Sequence, residues 1–184
     1  MGATFSANDF AHFAAFAALV YVPFGGGSNS REAREHYKKH IRPHIALGPP
    51  GWFFGIAWLV VYGLVTGAFF DFARNHYQAE QAVAVALVVL MLTNLLFNKL
   101  WMPIFFGARL YMVAANVANL ILFTAIPVLV LLGVQHAWLA FGLYFGYVAW
   151  AAYAVFLSWS IVLMVPAKPQ APKARGLKRS NASW

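Results

Sequence analysis

Long apolar runs constrain this chain more than any other feature of its sequence. Four runs of about 20 residues follow a shorter and weaker one, and a helix of that length crosses about 30 Å of hydrocarbon. Charged residues make up 10% of the chain, against about 25% in a typical soluble domain. The sequence therefore predicts an all-α membrane protein, a five-transmembrane-helix bundle, within a single domain over 1–166. The five segments cover roughly residues 8–24, 51–70, 82–101, 110–132 and 138–165.

The basic residues lie almost entirely on one face of such a bundle. If the chain crosses five times, 12 of the 13 Lys and Arg residues fall in the first loop, the third loop and the C-terminal tail, which share that face. Arg74 in the second loop is the exception. Because basic loops are retained in the cytoplasm, we expect the N-terminus outside and the C-terminus in the cytoplasm. The basic, Pro-containing tail over 167–184 has no apolar periodicity and is predicted to be disordered.

The sequence offers little for catalysis or metal binding. It has no cysteine, which excludes thiol catalysis and thiolate metal ligands. Its five acidic residues fall near predicted span ends or in loops, so no carboxylate pair or Ser-His-Asp set can be placed within the membrane. His36, His40 and His44 would share a helix face and bind Zn or haem weakly, but ordinary loop histidines are the simpler interpretation. We therefore predict no catalytic residue and no metal. We also predict no nucleic-acid partner, because the basic residues behind the +8 net charge are distributed as expected for loops on the cytoplasmic side of a membrane protein.

Aromatic and amide side chains recur on the faces of the predicted spans. Asn94 and Asn98 are four residues apart and share a helix face, which Trp101 extends. In the fifth span, aromatic residues occur at every third position between 144 and 153, and the tryptophans of the second span would face them. A pocket lined by aromatic rings and a few amides suits a large, flat, mostly apolar ligand, such as a tetrapyrrole or a sterol.

Each of these features has an alternative explanation. Membrane helices use Asn for interhelical hydrogen bonds worth about 0.6–2 kcal/mol. Trp and Tyr form belts at the membrane interface, which suits Trp52 and Trp101 near span ends. Lys99, also near a span end, is expected to extend its ammonium to the interface rather than to contact a ligand. The G-x-x-x-G spacings at 63–67 and 142–146 permit close helix packing, either within the chain or in a homodimer.

Three ordered sequence blocks carry a family resemblance. They read H-Y-x4-R-P over 36–43, P-P-G-W-x-F-x3-W-x3-Y over 49–62 and N-x-x-W-x-P-x-F-F-G over 98–107, where x is any residue. Together they resemble the signature of the translocator protein family, also called tryptophan-rich sensory proteins (TspO/MBR), over roughly 36–160. The first loop is slightly longer than in the family, and the family's terminal W-R-L-N is absent. The sterol-contact motif of animal members therefore has no clear counterpart, and cholesterol binding is not predicted.

The resemblance implies a five-helix bundle that binds porphyrins and related hydrophobic ligands from its cytoplasmic side, often as a homodimer. The loop over 25–50 would act as a lid over the pocket. Trp58 and Trp150 match the pair implicated in tetrapyrrole contact and light-dependent breakdown. Arg42 in the first loop would pair with propionates. The predicted ligand-binding residues are Trp52, Trp58, Tyr62, Asn98, Trp101, Tyr147, Trp150 and Arg42.

The favoured function is an integral membrane receptor or carrier for tetrapyrroles, such as porphyrin or haem-like molecules, that acts in sensing or transport. The tetrapyrrole is expected as a ligand rather than as a required cofactor, and a sterol or lipid is the alternative ligand. Two other functions stay open: a light-dependent porphyrin-degrading enzyme, and a structural or regulatory subunit of a larger membrane complex that has lost ligand binding. We expect a multi-pass protein of a bacterial inner membrane, with an organelle membrane as the alternative.

Overall fold

The computed structural model describes residues 7–21, 31–45, 47–76 and 81–164. This part of the chain is almost entirely helical and contains no β-strand, which confirms the all-α prediction. The predicted tail over 167–184 lies outside the described residues. The α-helices are Ala7–Tyr21 (α1), Arg31–His36 (α2), Gly51–Asn75 (α3), Gln81–Met102 (α4), Tyr111–Val134 (α5) and Trp138–Met164 (α6), with shorter helical turns at Tyr37–Ile41, Arg42–His44 and Pro103–Ala108.

Prolines set two of the helix ends near the basic face. Pro50 has an extended backbone and immediately precedes α3. Pro49, which stands before it, is disfavoured in the helical conformation because the next residue is a proline. Pro103 has no N–H to continue the hydrogen-bond ladder of α4. The chain continues as a wider π-helical turn over Pro103–Ala108, which ends at Arg109 in the left-handed conformation with a φ of 58°.

A Schellman motif closes the short turn between α5 and α6. The N–H of Ala137 donates to the Leu132 carbonyl and that of His136 to the Gly133 carbonyl, both at 3.0 Å. His136 supplies the left-handed residue that this motif needs, with a φ of 54°. The two longest apolar helices of the C-terminal half are thereby joined as a tight antiparallel pair.

Helix α3 is longer than the apolar run predicts, since it continues past position 70 to Asn75. Asp71 accounts for the extra turn. Its carboxylate accepts an N–H bond from Ala140 in the first turn of α6 at 3.0 Å and another from the Asn75 side chain at 2.8 Å. A carboxylate at a helix N-terminus satisfies an otherwise unpaired N–H and interacts favourably with the helix dipole. Polar residues in this turn therefore serve the α3–α6 contact instead of ending the helix.

The long helices pack side by side. Helix α5 contacts both α4 and α6, α6 also contacts α3, and α1 packs on α3. Small residues that are fully buried in α5 and α6, including Ala114, Ala118 and Ala140, let the helix backbones approach closely. Around the bundle the helices therefore follow the order α4, α5, α6, α3 and α1, and the Lys99 contact with the Val20 carbonyl brings the end of α4 back against α1.

One glycine of each G-x-x-x-G spacing lies in the contact between α3 and α6. A methyl group on Gly67 would lie 3.2 Å from Leu143, and one on Gly146 would lie 3.0 Å from Leu64. A methyl group on Gly142 would meet no atom within 4 Å. These spacings therefore serve intrachain packing through Gly67 and Gly146.

Among the described residues, four helices are long and apolar enough to cross a membrane, and their outward faces carry large exposed aliphatic and aromatic side chains. Helix α1 has 15 residues, a length of about 22 Å, which is less than the about 30 Å of a hydrocarbon core. Residues 22–30, which follow it, lie outside the described chain. The fifth span and the orientation of the termini therefore remain predictions. The four spans are Gly51–Asn75, Ala82–Ala108, Tyr111–Val134 and Trp138–Met164.

The described part of the first loop folds as short helical turns with one apolar face. Ala33, Tyr37, Ile41 and Ile45 recur at every fourth position, and all four are buried. The Tyr37 hydroxyl donates to the Pro49 carbonyl at 3.0 Å. This spacing turns one side of the loop toward the bundle and leaves its basic residues exposed.

Polar contacts join this loop to the ends of α5 and α6. The Tyr153 hydroxyl of α6 donates to the Leu47 carbonyl at 2.8 Å, and His36 Nε2 lies 3.0 Å from the Tyr111 hydroxyl oxygen. An ion pair of 2.8 Å joins Arg109 to Glu32. Both ends of that pair are solvent-accessible, so it contributes about 0–1 kcal/mol. The loop is thus attached mainly by its apolar face and a few hydrogen bonds.

Candidate ligand-binding site

A cavity of about 570 Å³ lies between α1, α3 and the end of α4, beneath the first loop. Small-molecule pockets typically measure about 300–1,000 Å³, so this cavity has the size of a ligand site. Aromatic rings form most of its wall. The lining residues are Tyr21, Arg34, Tyr37, Gly51, Trp52, Phe54, Gly55, Trp58, Leu59, Tyr62, Lys99, Met102 and Phe106.

Helix α3 supplies most of the wall because its lining residues recur at helical spacing. Phe54, Trp58 and Tyr62 follow one another at successive turns, and the ring centroids of Trp58 and Tyr62 are 5.4 Å apart. Gly51 and Gly55 share this face, and a methyl group on either would meet no atom within 4 Å. The two glycines therefore leave open space beside the rings.

Three tryptophans from three helices meet at the inner wall. The ring of Trp58 lies 6.2 Å from that of Trp101 on α4 and 6.1 Å from that of Trp150 on α6. Their three Nε1 atoms are buried and have no hydrogen-bond partner among the described residues. A buried donor without an acceptor costs about 1–3 kcal/mol. Trp58 lines the cavity, but its Nε1 is buried behind the wall and does not open onto the cavity.

A chain of hydrogen bonds runs behind the cavity wall. Tyr62 donates to Asn98 Oδ1 at 3.3 Å, and Asn98 Nδ2 donates to the Tyr147 hydroxyl at 3.1 Å. Tyr147 in turn donates to Asn94, whose own Nδ2 donates to the Thr124 hydroxyl at 2.8 Å. The chain connects α3, α4, α6 and α5. Asn98 thus makes the interhelical contacts that were the alternative to a ligand role.

The predicted ligand-binding residues fall into three groups. Three of them line the cavity, although Trp52 is 66% exposed at its edge. Four more do not line the cavity but are buried or half-buried behind the rings of α3 that do. The eighth is exposed in the first loop and does not line the cavity. The first group is Trp52, Trp58 and Tyr62; the second is Asn98, Trp101, Tyr147 and Trp150; the third is Arg42.

The prediction for Lys99 was wrong. Its side chain does not turn outward from the bundle: it is 6% exposed, donates from Nζ to the Val20 carbonyl of α1, and lies 5.1 Å from the centroid of the Tyr62 ring. The sequence alone does not show whether a lysine at the end of an apolar run points out of the bundle or into it. The packing of α1 against this end of α4 is what decides its direction.

Arg34 and Tyr37 also line the cavity without having been predicted to do so. They are three residues apart, so they lie on the same side of a helical turn. The sequence signal for Tyr37 was its place in the block over 36–43 that resembles the family. Burial raises the pKa of the Tyr37 hydroxyl well above its usual value, and the nearby Tyr153 raises it further while Arg42 lowers it. Tyr37 therefore stays neutral and can donate to the Pro49 carbonyl.

The histidines of the first loop do not gather into a metal-binding set within the described residues. The rings of His36 and His40 are 5.0 Å apart, and His36 contacts the Tyr111 hydroxyl. In the described part of the loop, His36 thus has a structural contact with α5.

Comparison with known families agrees with these features. A family model described as the TspO/MBR family matches residues 13–164, which include every residue of the cavity wall. No curated protein matches the chain. The match spans most of the 184 residues, and the four apolar helices have the length of membrane spans. The chain therefore belongs to the TspO/MBR family and is an integral membrane protein of a broadly sensory or transport kind.

Proposed function

We propose that this protein is a receptor or carrier that binds a tetrapyrrole, such as a porphyrin or haem-like molecule, in the cavity beneath its first loop. The observation that carries the proposal is the aromatic cavity of about 570 Å³, a size typical of small-molecule sites. A flat conjugated ring stacks on aromatic side chains, and each such pair adds about 0.5–1.5 kcal/mol beyond the burial of apolar area. Trp58 and Tyr62 offer adjacent rings for this contact.

The loop that covers the cavity supports access from the basic face. Its exposed basic residues, which include Arg31, Lys38 and Lys39, raise the local concentration of anionic ligands. Its polar contacts to the bundle are few and partly exposed to solvent. These polar contacts are weak, whereas the buried apolar face of the loop has to leave the bundle on opening. We propose that the loop moves to admit the ligand.

Binding of protoporphyrin IX to the full chain in detergent tests this function. We expect a saturable change in porphyrin absorbance and a loss of affinity of about tenfold, or about 1.4 kcal/mol, in Trp58→Leu. Trp138→Leu is the matched control, because Trp138 is 63% exposed and lies outside the cavity lining. Equal affinities of the two variants would contradict the assigned site. Absence of saturable binding, together with stoichiometric co-purification of other membrane proteins, would instead support the structural-subunit function.

A light-dependent porphyrin-degrading activity is the second candidate. The cluster of three indoles favours it, because Trp101 and Trp150 both lie within 6.2 Å of Trp58. Indole rings are oxidisable, so the cluster would donate an electron to a photo-excited porphyrin at Trp58, and dissolved dioxygen would be the oxidant that then opens the reduced macrocycle. Illumination of the complex should then yield a product with changed absorbance. Trp101→Phe and Trp150→Phe should slow its formation without changing porphyrin affinity in the dark; equal rates in all variants would exclude this role of the cluster.

A further inference from the structure

Lys99 places a positive charge inside the bundle, at the wall of the cavity. Its side chain is 6% exposed. The Nζ atom donates to the Val20 carbonyl of α1 and lies 5.1 Å from the centroid of the Tyr62 ring of α3. Lys99 also belongs to the residues that line the cavity. Three helices therefore meet around one ammonium that borders the ligand site.

This position is a costly one for a lysine. A lysine near the end of a membrane span usually extends along the lipid to the interface, where its ammonium keeps its hydration. A buried ammonium loses much of that hydration, and its contacts within the bundle, which include a carbonyl dipole and an aromatic face, compensate for part of the loss. Charged residues that face an internal cavity of a membrane protein generally mark a path or site for a ligand. The orientation of Lys99 thus favours a ligand role over an anchoring role.

The charges around the cavity have one sign. Lys99 and Arg34 line it, and the lining contains no Asp or Glu among the described residues. A carboxylate that reached Lys99 Nζ would form a charge-assisted hydrogen bond, which is stronger than a neutral one and strengthened further in a low-dielectric site. A second carboxylate on the same ligand would find Arg34 at the loop side, whose planar fork suits bidentate contact.

We propose that Lys99 makes the cavity selective for ligands that carry a carboxylate, so that it takes flat aromatic acids in preference to neutral molecules of the same shape. This inference rests on the proposed function and adds the chemical class of the ligand and the residue that selects it. A neutral ligand would displace water from the ammonium and supply no negative group in return. The same ring system with and without free acids should therefore bind with different affinities.

Protoporphyrin IX and its dimethyl ester provide this comparison, since they share one macrocycle and differ in their carboxylates. Both are titrated against the full chain in a non-ionic detergent. We expect the wild-type protein to bind the diacid about tenfold more tightly than the ester, a difference of about 1.4 kcal/mol. Lys99→Met should reduce this ratio several-fold, because the diacid loses its charge-assisted contact and the ester no longer displaces water from an ammonium. Lys38→Met is the control, because Lys38 is an exposed lysine of the first loop outside the lining, and its ratio should equal that of the wild type.

Each other outcome overturns a defined part of the proposal. Equal binding of diacid and ester by the wild type would overturn the selectivity and leave tetrapyrrole binding intact, and this comparison needs no variant to fold. An unchanged ratio in a folded Lys99→Met would overturn the role of Lys99. Binding of neither porphyrin would overturn the tetrapyrrole function and, with it, this inference.

Discussion

Buried amides in this bundle bond to neighbouring helices. Asn94 on α4 donates to the Ile121 carbonyl at 2.6 Å and to the Thr124 hydroxyl at 2.8 Å, both on α5, and accepts a hydrogen bond from Tyr147 on α6. In hydrocarbon, a polar group without a partner costs several kcal/mol. Asn94 therefore helps to specify that α4 packs beside α5 and α6.

Replacing Asn94 with Leu should lower the stability of the bundle. We expect a loss of about 1–2 kcal/mol, because Tyr147 loses its acceptor and the bonds to α5 disappear. The thermal unfolding midpoint in detergent measures this loss. Asn116→Leu is the matched control, since Asn116 is exposed on α5 and bonds to the Met112 carbonyl of its own helix. A surface change of that kind stays within about 0.5 kcal/mol, and equal midpoints for the two variants would contradict this role of Asn94.

At the scale of elements, Tyr37 connects the first loop to the bundle. Its ring lies 5.4 Å from that of Phe54 and 6.1 Å from that of Phe106, and its hydroxyl donates to the Pro49 carbonyl. Tyr37→Phe keeps the ring and removes one hydrogen bond, which is worth about 0.5–1.5 kcal/mol. Trypsin should therefore cleave the loop after Lys38 and Lys39 about two to tenfold faster at neutral pH. An unchanged cleavage rate would show that the hydroxyl does not hold the loop.

The ionisation of Tyr37 should make the loop sensitive to alkali. Because burial raises the pKa of this hydroxyl above its usual value of 10.0, its stabilising contribution is present in full below pH 10 and is lost as the pH rises through the raised pKa. The ultraviolet titration of the wild type minus that of Tyr37→Phe isolates this group. We expect no tyrosinate signal from Tyr37 at pH 10, and a half-ionised group at that pH would contradict the burial.

The elements differ in how far the sequence predicts them. Helices α3 to α6 follow from apolar runs and from Pro50 and Pro103, because a backbone in lipid must bond within its own helix and proline interrupts that pattern. The π-helical turn after Pro103 does not follow, since proline alone does not determine how the interrupted ladder resumes. The extra turn of α3 depends on Asp71 meeting α6, and such a contact between distant segments leaves no local pattern.

The candidate site was predictable in part for a similar reason. Trp58 and Tyr62 share a helical stripe, so the aromatic wall of α3 could be predicted from spacing. The roles of Asn98 and Lys99 could not, because each depends on which helix lies opposite. Asn98 meets Tyr62 and Tyr147 across α3 and α6, whereas Lys99 meets the carbonyl of α1. Although Asn98 and Lys99 are adjacent in the sequence, Asn98 thus connects helices, whereas Lys99 lines the cavity.

At the scale of the whole molecule, the number of membrane spans is five if α1 crosses the membrane and four if it does not. The chain has no cysteine, so a single introduced cysteine reports its own side of the membrane to an impermeant maleimide in sealed vesicles. If α1 crosses, as the five-span prediction requires, Ala3→Cys and Arg74→Cys label on one face and Lys39→Cys on the other. Labelling of Ala3→Cys together with Lys39→Cys would mean that α1 does not cross.

The central claim is that the cavity beneath the first loop is where this protein binds its ligand. The most direct test compares protoporphyrin IX affinity in Gly55→Leu and Gly142→Leu. A methyl group at either glycine meets no atom within 4 Å, and leucine favours a helix over glycine, so both variants should fold. Gly55 lines the cavity, whereas Gly142 lies exposed on α6. We expect the Gly55→Leu side chain to occupy part of the cavity beside the aromatic rings and to weaken binding at least about tenfold, with Gly142→Leu unchanged; equal affinities in the two folded variants would contradict the claim.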